Sequence, residues 1–271
     1  MSGDVIFTDG RDIPPIGLGV FDMGAGRTVD LVRAAIRTGY RAVDTAAIYG
    51  NEADVGEAVR TSGRPVFVTT KVWHSDHGYD AALTAFEQSY ERLGLDVVDL
   101  CLIHWPAPKR DLYVETWKAL VRLKDEKRVR SIGVSNFSAD QIERILAETG
   151  VAPVANQIEL HPRFQQAELR AFHAQRGIAT ISWSPLGRGK ELANPTLVAI
   201  AAKHRRTPAQ IILRWHVDLG LIPIPKSADP GRQAENIAIF DFALDAEDHA
   251  AIAGLDDPNG RFGPDPMVFG N

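Results

Sequence analysis

Val43-Asp44-Thr45-Ala46-Ala47-Ile48-Tyr49-Gly50-Asn51-Glu52 is the segment from which the fold of this chain can be predicted. The apolar-flanked residues from Tyr40 to Val43 predict a short buried strand, and Asn51-Glu52 predicts the start of a helix. Asp44 therefore lies where a strand ends, and Tyr49 follows in the loop. In a β/α barrel this end of the strands carries the chemistry, so the question is whether the rest of the sequence supplies a barrel and partners for Asp44 and Tyr49.

Composition sets the class of protein. The chain has 271 residues, of which 45% are hydrophobic, enough for one β/α barrel or two ordinary domains. A net charge of −5 gives no basic excess and argues against a nucleic-acid surface. The single cysteine, Cys101, excludes an intramolecular disulfide framework. We see no signal peptide and no apolar run of about 20 residues, and we expect a soluble cytoplasmic protein with no membrane partner.

Strand-like and helix-like segments alternate along most of the chain. Before them, Val5-Ile6-Phe7 and Ile13 predict a hairpin, because the Asp9-Gly10 pair between them favours a tight turn. In a barrel this hairpin would plug one mouth. The eight predicted strands are Arg41–Asp44, Pro65–Thr70, Val97–His104, Val129–Val134, Val151–Gln157, Ile178–Trp183, Leu221–Pro225 and Ile237–Phe242.

The pattern favours a closed barrel over an open sheet. Continuously apolar strands are typical of a parallel sheet covered by helices, and about 250 residues is the usual length of a β/α barrel. An open doubly wound sheet usually has a G-x-G-x-x-G sequence after its first strand, and none follows Asp44. We find no linker, so residues 1–271 are predicted to form one domain, an α/β (β/α)8 TIM barrel with an N-terminal hairpin plug.

Three adjacent predicted strands end in three different ionisable groups, Asp44, Lys71 and His104, and Tyr49 lies in the first loop. A tyrosine is a poor proton donor at neutral pH because its usual pKa is about 10. A nearby lysine ammonium lowers that pKa, and a carboxylate would hold the lysine charged. The histidine can orient a substrate oxygen by a hydrogen bond. A carbonyl oxygen between Tyr49 and His104 would therefore be polarised from both sides.

The motifs around these groups resemble the aldo-keto reductase superfamily. They are Asp-Thr-Ala-x-x-Tyr-Gly-Asn-Glu from Asp44, Thr-Lys-Val-Trp from Thr70, and Val-Asp-Leu-x-Leu-Ile-His-Trp-Pro from Val98. Residues 131–137, 156–162 and 224–227 are similar to the cofactor segments of that family. The resemblance runs from about Gly17 to Leu255. Within the superfamily the chain looks closest in type to the bacterial 2,5-diketo-D-gluconate reductases, because its connection after His104 is short.

The resemblance implies a role for each matching residue. Tyr49 would be the general acid, Lys71 the group that lowers its pKa, Asp44 the partner of Lys71, and His104 the residue that orients the substrate. The nicotinamide cofactor would be held without a glycine-rich sequence. Its carboxamide would contact Ser135, Asn136 and Gln157, its ring would stack on Trp183, and its pyrophosphate would contact the segment that contains Ser184, Pro185, Leu186, Arg188 and Gly189.

Cofactor choice is predicted from the end of the seventh predicted strand. Lys226, Ser227 and Arg232 offer two cations and a hydroxyl, which suit the 2′-phosphate of NADP. The resemblance implies that Glu235 and Asn236 contact the adenine. An NAD site would more often offer a carboxylate to the ribose. We therefore expect NADPH as the cofactor.

The substrate pocket is predicted from loops and the tail. By resemblance, Phe21, Trp73, Trp105 and the stretch 259–269 would form its walls, with the tail as a C-terminal loop over the pocket. Aromatic walls suit apolar or flat carbonyl compounds, and Arg261 could meet a carboxylate. The expected reaction is the NADPH-dependent reduction of aldehydes and ketones, including keto sugar acids such as 2,5-diketo-D-gluconate. The resemblance favours a monomer.

Two other classes stay open at this stage. A nicotinamide-binding redox sensor or regulatory subunit would keep the site but act through protein partners, and it would be favoured by partner-binding segments outside the barrel. A metal-dependent barrel hydrolase would need several His and Asp ligands at strand ends, where only His104 and Asp44 qualify. The run His74-Ser75-Asp76-His77 is predicted to be a solvent-exposed loop, and no metal is expected.

Overall fold

The computed structural model describes residues 3–24 and 26–270 and contains a sheet of eight parallel strands. Each strand pairs with the next along the chain, as in a barrel whose strands follow one another in sequence. A separate antiparallel hairpin precedes the sheet. The hairpin strands are β1 (Val5–Ile6) and β2 (Asp12–Ile13), and the sheet strands are β3 (Leu18–Gly19), β4 (Ala42–Asp44), β5 (Phe67–Val72), β6 (Val98–Ile103), β7 (Val129–Ser135), β8 (Ala155–Glu159), β9 (Ala179–Trp183) and β10 (Ile222–Pro223).

The first and last strands of the sheet are linked by main-chain hydrogen bonds. The amides of Gly17 and Gly19 donate to the carbonyls of Pro223 and Pro225, both at 3.1 Å, and Gly19 also forms a parallel bridge with Lys226. A Cβ atom at Gly19 would lie 3.1 Å from the carbonyl oxygen of Ile224, so glycine permits this close approach. These contacts close the sheet, which confirms the predicted (β/α)8 barrel.

One of the eight predicted strands is wrong. The prediction made Arg41–Asp44 the first strand and Ile237–Phe242 the last, whereas the barrel begins at β3, and residues 238–242 form no strand. The carbonyls of Ala238 and Ile239 accept hydrogen bonds from the Gln210 amide at 2.8 Å and the Arg214 guanidinium at 3.1 Å. Helix side chains thus satisfy backbone groups that a strand would pair, and Ile239 of this segment is buried in the main core cluster.

The helices surround the sheet and bury one face each. In α1 (Thr28–Thr38), Leu31, Val32, Ala35 and Ile36 are buried, and the helix ends at Gly39, whose φ of 115° favours glycine. The other helices are α2 (Glu52–Arg60), α3 (Tyr79–Leu93), α4 (Tyr113–Asp125), α5 (Ala139–Thr149), α6 (Ala167–Arg176), α7 (Pro195–His204), α8 (Pro208–Asp218), α9 (Pro230–Ile237) and α10 (Ala246–Ala253).

The hairpin closes the amino-terminal mouth of the barrel, as predicted. Phe7 and Ile13 are buried in a cluster with residues of β6, β8, β9 and β10. Asp9 fastens the turn, because its carboxylate accepts hydrogen bonds from Lys124 at 3.0 Å and from the Ser131 hydroxyl at 2.9 Å. The other mouth, at the carboxyl ends of the strands, is where the predicted site residues lie. Across the described residues, no helix is long and apolar enough to cross a membrane.

Candidate active site

Asp44 and Lys71 form a buried ion pair at the carboxyl mouth of the barrel. Asp44 ends β4, and Lys71 lies one residue before the end of β5, so the parallel register brings the two side chains together. The Lys71 ammonium donates to Asp44 Oδ1 at 2.5 Å and to the carbonyl oxygen of Thr45 at 2.9 Å. The other Asp44 oxygen accepts from the Gln157 amide at 2.7 Å. The Lys71 ammonium and both Asp44 oxygens therefore have hydrogen-bond partners.

Tyr49 lies beside this pair. The Lys71 nitrogen is 5.2 Å from the centre of the Tyr49 ring, and the ring of His104 is 5.7 Å from it, edge to face. Burial raises the pKa of Tyr49, and the Lys71 charge opposes that rise without cancelling it. Tyr49 thus carries its proton at neutral pH. The sequence predicts that Lys71 lowers the pKa of Tyr49. Lys71 does act in that direction, but burial outweighs it, and the net shift of the pKa is upward.

The charges of Lys71 and His104 are set by the same neighbourhood. Burial acts to lower the pKa of Lys71, but the Asp44 carboxylate and Tyr49 outweigh it, so the pKa is raised and the ammonium persists. The pKa of His104 lies well below its usual value, because of burial first and then the Lys71 charge. His104 is therefore neutral, with one ring nitrogen able to donate a hydrogen bond.

Two residues that the sequence reasoning did not select fix the loop that carries Tyr49. The hydroxyl of Thr45 donates to Asn51 Oδ1 at 2.7 Å, and the Asn51 amide donates to the carbonyl of Val20 at 2.8 Å. Both side chains are buried. The loop between β4 and α2 is thus fastened to the chain that leaves β3. The only sequence signal for these roles was their place inside the Asp44–Glu52 motif.

The residues predicted to hold the nicotinamide carboxamide are joined to each other and to the ion pair. Ser135 donates to the carbonyl of Gln157 at 2.8 Å, while the Asn136 amide nitrogen donates to the carbonyl of His104 and to the Ser135 hydroxyl, both at 3.0 Å. The Trp183 indole donates to Asn136 Oδ1 at 2.8 Å. The ends of β7, β8 and β9 therefore present one connected polar cluster, which contacts the Asp44 carboxylate and the main chain of His104.

The backbone is left-handed at three of the predicted cofactor positions. Asn136, Ser184 and Arg188 have φ angles of 65°, 49° and 55°. Such angles are uncommon for residues other than glycine, and they cluster where a chain binds ligands. Ser184 begins the turn after β9, where Pro185 and Leu186 lead into a short 3-10 segment, Gly187–Ala193, that contains Arg188 and Gly189.

The second predicted cofactor group lies after β10 and on α9. Lys226 and Arg232 are exposed, whereas Ser227 and Asn236 are buried. The Ser227 hydroxyl exchanges hydrogen bonds with the backbone of Asp229, which fixes its direction. Glu235 accepts a hydrogen bond from the Thr207 hydroxyl at 2.8 Å. This group adjoins the seam where the barrel closes, because Lys226 bridges to Gly19.

Aromatic side chains surround Tyr49 and His104. The Phe21 ring lies 5.0 Å from Tyr49, and the Trp73 ring lies 4.9 Å from His104. Phe269 of the tail packs on Trp105 at 4.6 Å and on Trp73 at 6.1 Å. The structure therefore places Phe21, Trp73 and Trp105, the three residues predicted to line the pocket, at the mouth that holds Tyr49 and His104, and it packs Phe269 of the tail on both tryptophans.

Other predicted features lie elsewhere. His77 was expected in solvent but is buried, with no partner for either ring nitrogen among the described residues. His74 is half-buried between the rings of Trp73 and Phe269. A loop sequence rich in His, Ser and Asp gave no sign of this packing. Arg261 stacks on the ring of Phe164, 4.6 Å from its centre, and not beside Tyr49.

Comparisons with known proteins give the family of this chain. The model of the Aldo/keto reductase family matches residues 15–257. A relative from Yersinia pestis, methylglyoxal reductase DkgA, is 48% identical and covers 97% of this chain and 96% of its own. A crystal structure of a Gox0644 variant in complex with NADPH matches with 50% identity and a TM-score of 0.95, over 98% of this chain and 97% of the other.

A third similar protein is a putative 2,5-diketo-D-gluconic acid reductase B. It is 38% identical, with a TM-score of 0.92, over 96% of this chain and 94% of its own. The chain belongs to the aldo-keto reductase family. This membership confirms the resemblance read from the motifs and the predicted class, an NADP-dependent oxidoreductase.

Proposed function

We propose that this protein reduces aldehydes and ketones to alcohols with NADPH, and that Tyr49 supplies the proton. The contact that carries the proposal is the buried Lys71–Asp44 pair beside the Tyr49 ring, at the mouth where His104 and the aromatic walls meet. Within a family of NADP-dependent oxidoreductases, this arrangement suits a carbonyl oxygen that gains negative charge.

The side chains can move a proton as follows. Tyr49 is protonated before the reaction, because burial raises its pKa. As negative charge develops on the carbonyl oxygen, the phenol gives up its proton there. The Lys71 ammonium then stabilises the phenolate, while Asp44 holds that ammonium in place. Neutral His104 donates a second hydrogen bond to the same oxygen, which fixes the side from which the carbonyl carbon is attacked.

The chain offers a fitting set of groups for the dinucleotide. Bound NADPH would supply the hydride to the carbonyl carbon. Ser135, Asn136 and Gln157 offer amide and hydroxyl groups for the carboxamide, and the contacts of Asn136 with the His104 carbonyl and of Gln157 with Asp44 support this role. The left-handed backbone at Ser184 and Arg188 supports a ligand contact in that turn. The exposed cations Lys226 and Arg232 would meet the 2′-phosphate.

The substrate proposal follows from the walls. Phe21, Trp73, Trp105 and Phe269 present flat apolar faces, which suit aromatic and short aliphatic carbonyl compounds. Methylglyoxal and keto sugar acids, named in the similar proteins, are the polar substrates that we would include. Arg261 does not support recognition of a carboxylate, since its guanidinium stacks on Phe164.

The test compares the loss of two tyrosine hydroxyls. NADPH oxidation is followed by absorbance with benzaldehyde, methylglyoxal and 2,5-diketo-D-gluconate, for the wild type, Tyr49→Phe and Tyr40→Phe. Tyr40 is the matched control, because it is buried and its hydroxyl has no hydrogen-bond partner among the described residues. We expect kcat to fall by at least about 100-fold in Tyr49→Phe, the range for a lost proton donor, and to be retained in Tyr40→Phe. Equal rates for wild type and Tyr49→Phe would refute the proposed role.

The alternative class gives a different result in the same assay. A redox sensor would bind NADPH, with a measurable quench of tryptophan fluorescence, but would turn over none of the carbonyl compounds. We also propose a single-domain monomer that acts in the cytoplasm. Sedimentation equilibrium tests the monomer, since a mass near 29.7 kDa is expected and a multiple of it would contradict the proposal.

A further inference from the structure

The motif at residues 156–162 contains two buried groups that the proposed chemistry does not use, Glu159 and His161. Both side chains are fully buried, and the His161 ring nitrogen Nε2 donates to Glu159 Oε1 at 3.1 Å. Glu159 ends β8, two residues beyond Gln157, at the same mouth of the barrel. A buried carboxylate is costly unless several donors satisfy it, so its other partners identify its role.

Those partners belong to the tail. Glu159 Oε1 accepts a hydrogen bond from the backbone amide of Phe262 at 2.6 Å, and Oε2 accepts from that of Gly263 at 2.8 Å. The Phe262 ring also stacks on the His161 ring, with centres 4.7 Å apart and planes inclined by 15°. One carboxylate and one imidazole therefore hold two consecutive tail residues that lie about a hundred positions further along the chain.

The tail, residues 256–270, runs from this anchor to the pocket. Gly263 lies against the Trp183 ring, since a Cβ there would be 2.4 Å from the ring edge and 2.8 Å from the Glu159 carboxylate. Six residues later, Phe269 packs on Trp105 and Trp73. The stretch between the two contacts has five residues, 264–268, of which two are prolines. The position of Phe269 thus depends on where residues 262 and 263 are held.

We propose that Glu159, supported by His161, is a positioning residue for the substrate pocket, because it fixes the tail that places Phe269 over the carbonyl site. The inference rests on the proposed carbonyl reductase activity. Hydrogen bonds from amides to a carboxylate are stronger than those between neutral groups, which suits an anchor of only two amides. The contacts of Phe269 define one wall of the pocket, so the effect belongs to substrate affinity more than to proton transfer.

The first experiment compares Glu159→Gln with the wild type. The amide side chain keeps the size of glutamate but offers a single acceptor oxygen and no charge. We expect the KM for benzaldehyde to rise about tenfold, which is the loss of one hydrogen bond to a charged group, while kcat stays within about twofold. Hydrogen exchange of the Phe262 and Gly263 amides should become at least about tenfold faster. This second readout needs no turnover.

Two controls separate positioning from general loss of stability. Asp99→Asn removes another buried carboxylate, which accepts the Val68 amide at 2.8 Å and Arg130 at 2.7 Å near the amino end of β6. It should lower the urea midpoint without changing the KM or tail exchange. Phe269→Ala should raise the KM by itself, and Glu159→Gln added to it should raise the KM little further, because the two act through one wall.

Each outcome decides the inference. Unchanged exchange at residues 262 and 263 in Glu159→Gln, or fully additive KM effects in the double variant, would overturn it. If Glu159→Gln does not fold, Gly263→Ala loosens the same contact from the tail side and should give the same rise in KM and in tail exchange. If the wild type reduces no carbonyl compound, the proposed function fails, and the exchange measurement still decides whether Glu159 holds the tail.

Discussion

Removing the charge of Asp44 gives a prediction with a worked magnitude. In the wild type the Lys71 ammonium is fully buried, 2.5 Å from the Asp44 carboxylate. In Asp44→Asn a neutral amide replaces that carboxylate, and the carbonyl of Thr45 remains as the other partner of Lys71. Breaking one side of a buried ion pair costs about 3–5 kcal/mol. We therefore expect the free energy of unfolding to fall by about 3–5 kcal/mol at pH 7, which corresponds to a Tm lower by roughly 5–9 °C for a chain of this length.

The pH dependence of that loss follows from Lys71. In the wild type its pKa is raised, so the stability that it contributes is present below the usual lysine pKa and is lost only as pH rises through the raised value. In Asp44→Asn, burial dominates and lowers the pKa of Lys71. The ammonium form is then penalised at neutral pH, and the penalty shrinks as pH rises from the lowered pKa towards the usual lysine pKa. The stability difference between variant and wild type should narrow from pH 7 to pH 10.

Urea unfolding monitored by tryptophan fluorescence at several pH values measures these differences. The decisive variant is Asp44→Asn combined with Lys71→Met, which removes both charges and leaves no unpaired ammonium. Its loss of stability should be smaller than the sum of the two single losses. Asp241, which is exposed and pairs with the half-buried Arg206, supplies the control, since Asp241→Asn should change stability little at any pH. Additive single losses, or a difference that is constant with pH, would refute the reasoning.

Three further predictions test other parts of the chain. Lys226→Ala and Arg232→Ala should each raise the KM for NADPH about tenfold and leave that for NADH nearly unchanged, as steady-state kinetics with both cofactors will measure; equal changes for both would contradict a 2′-phosphate contact. Burial, and then the Lys71 charge, holds the pKa of His104 well below its usual value. The pH profile of kcat/KM should therefore show no histidine titration between about pH 6 and 8. An inflection in that range that disappears in His104→Gln would refute this. Gly56→Ala should lower the free energy of unfolding by about 1–3 kcal/mol, although alanine has the better helix propensity. The reason is steric, because the added Cβ would lie 1.9 Å from the Leu93 carbonyl oxygen. An unchanged urea midpoint would count against that clash.

The sequence was sufficient to predict the barrel and the meeting of Asp44, Tyr49, Lys71 and His104 at one mouth, because those features are local. Asp44 and His104 lie at or just beyond the end of an apolar strand, and Lys71 lies one residue before the end of β5. Parallel strands align their ends whatever the intervening helices contain, so these residues meet. Contacts of the tail are not local. The hydrogen bond from Phe262 to Glu159 joins residues 103 positions apart, and neither hydrophobic periodicity nor turn residues indicate such a pairing.

The error in strand assignment has the same origin. β3 has two residues, Leu18 and Gly19, and is too short for any periodic pattern. Ile237–Phe242 has the apolar content of a strand, but side chains of α8 bind its carbonyls. The count of eight was right only because one missed strand balanced one false strand.

The missed strand matters for the site and not only for the fold. The chain that leaves β3 supplies the Val20 carbonyl, which accepts the Asn51 amide and so fastens the loop of Tyr49. The next residue, Phe21, packs on the Tyr49 ring. Gly19, at the end of the same strand, bridges to Lys226, one of the residues predicted to bind the 2′-phosphate of the cofactor. Closure of the barrel at β3 therefore ties the position of the proton donor to the segment proposed to bind the far end of the cofactor, so that a substitution for Gly19 should disturb both.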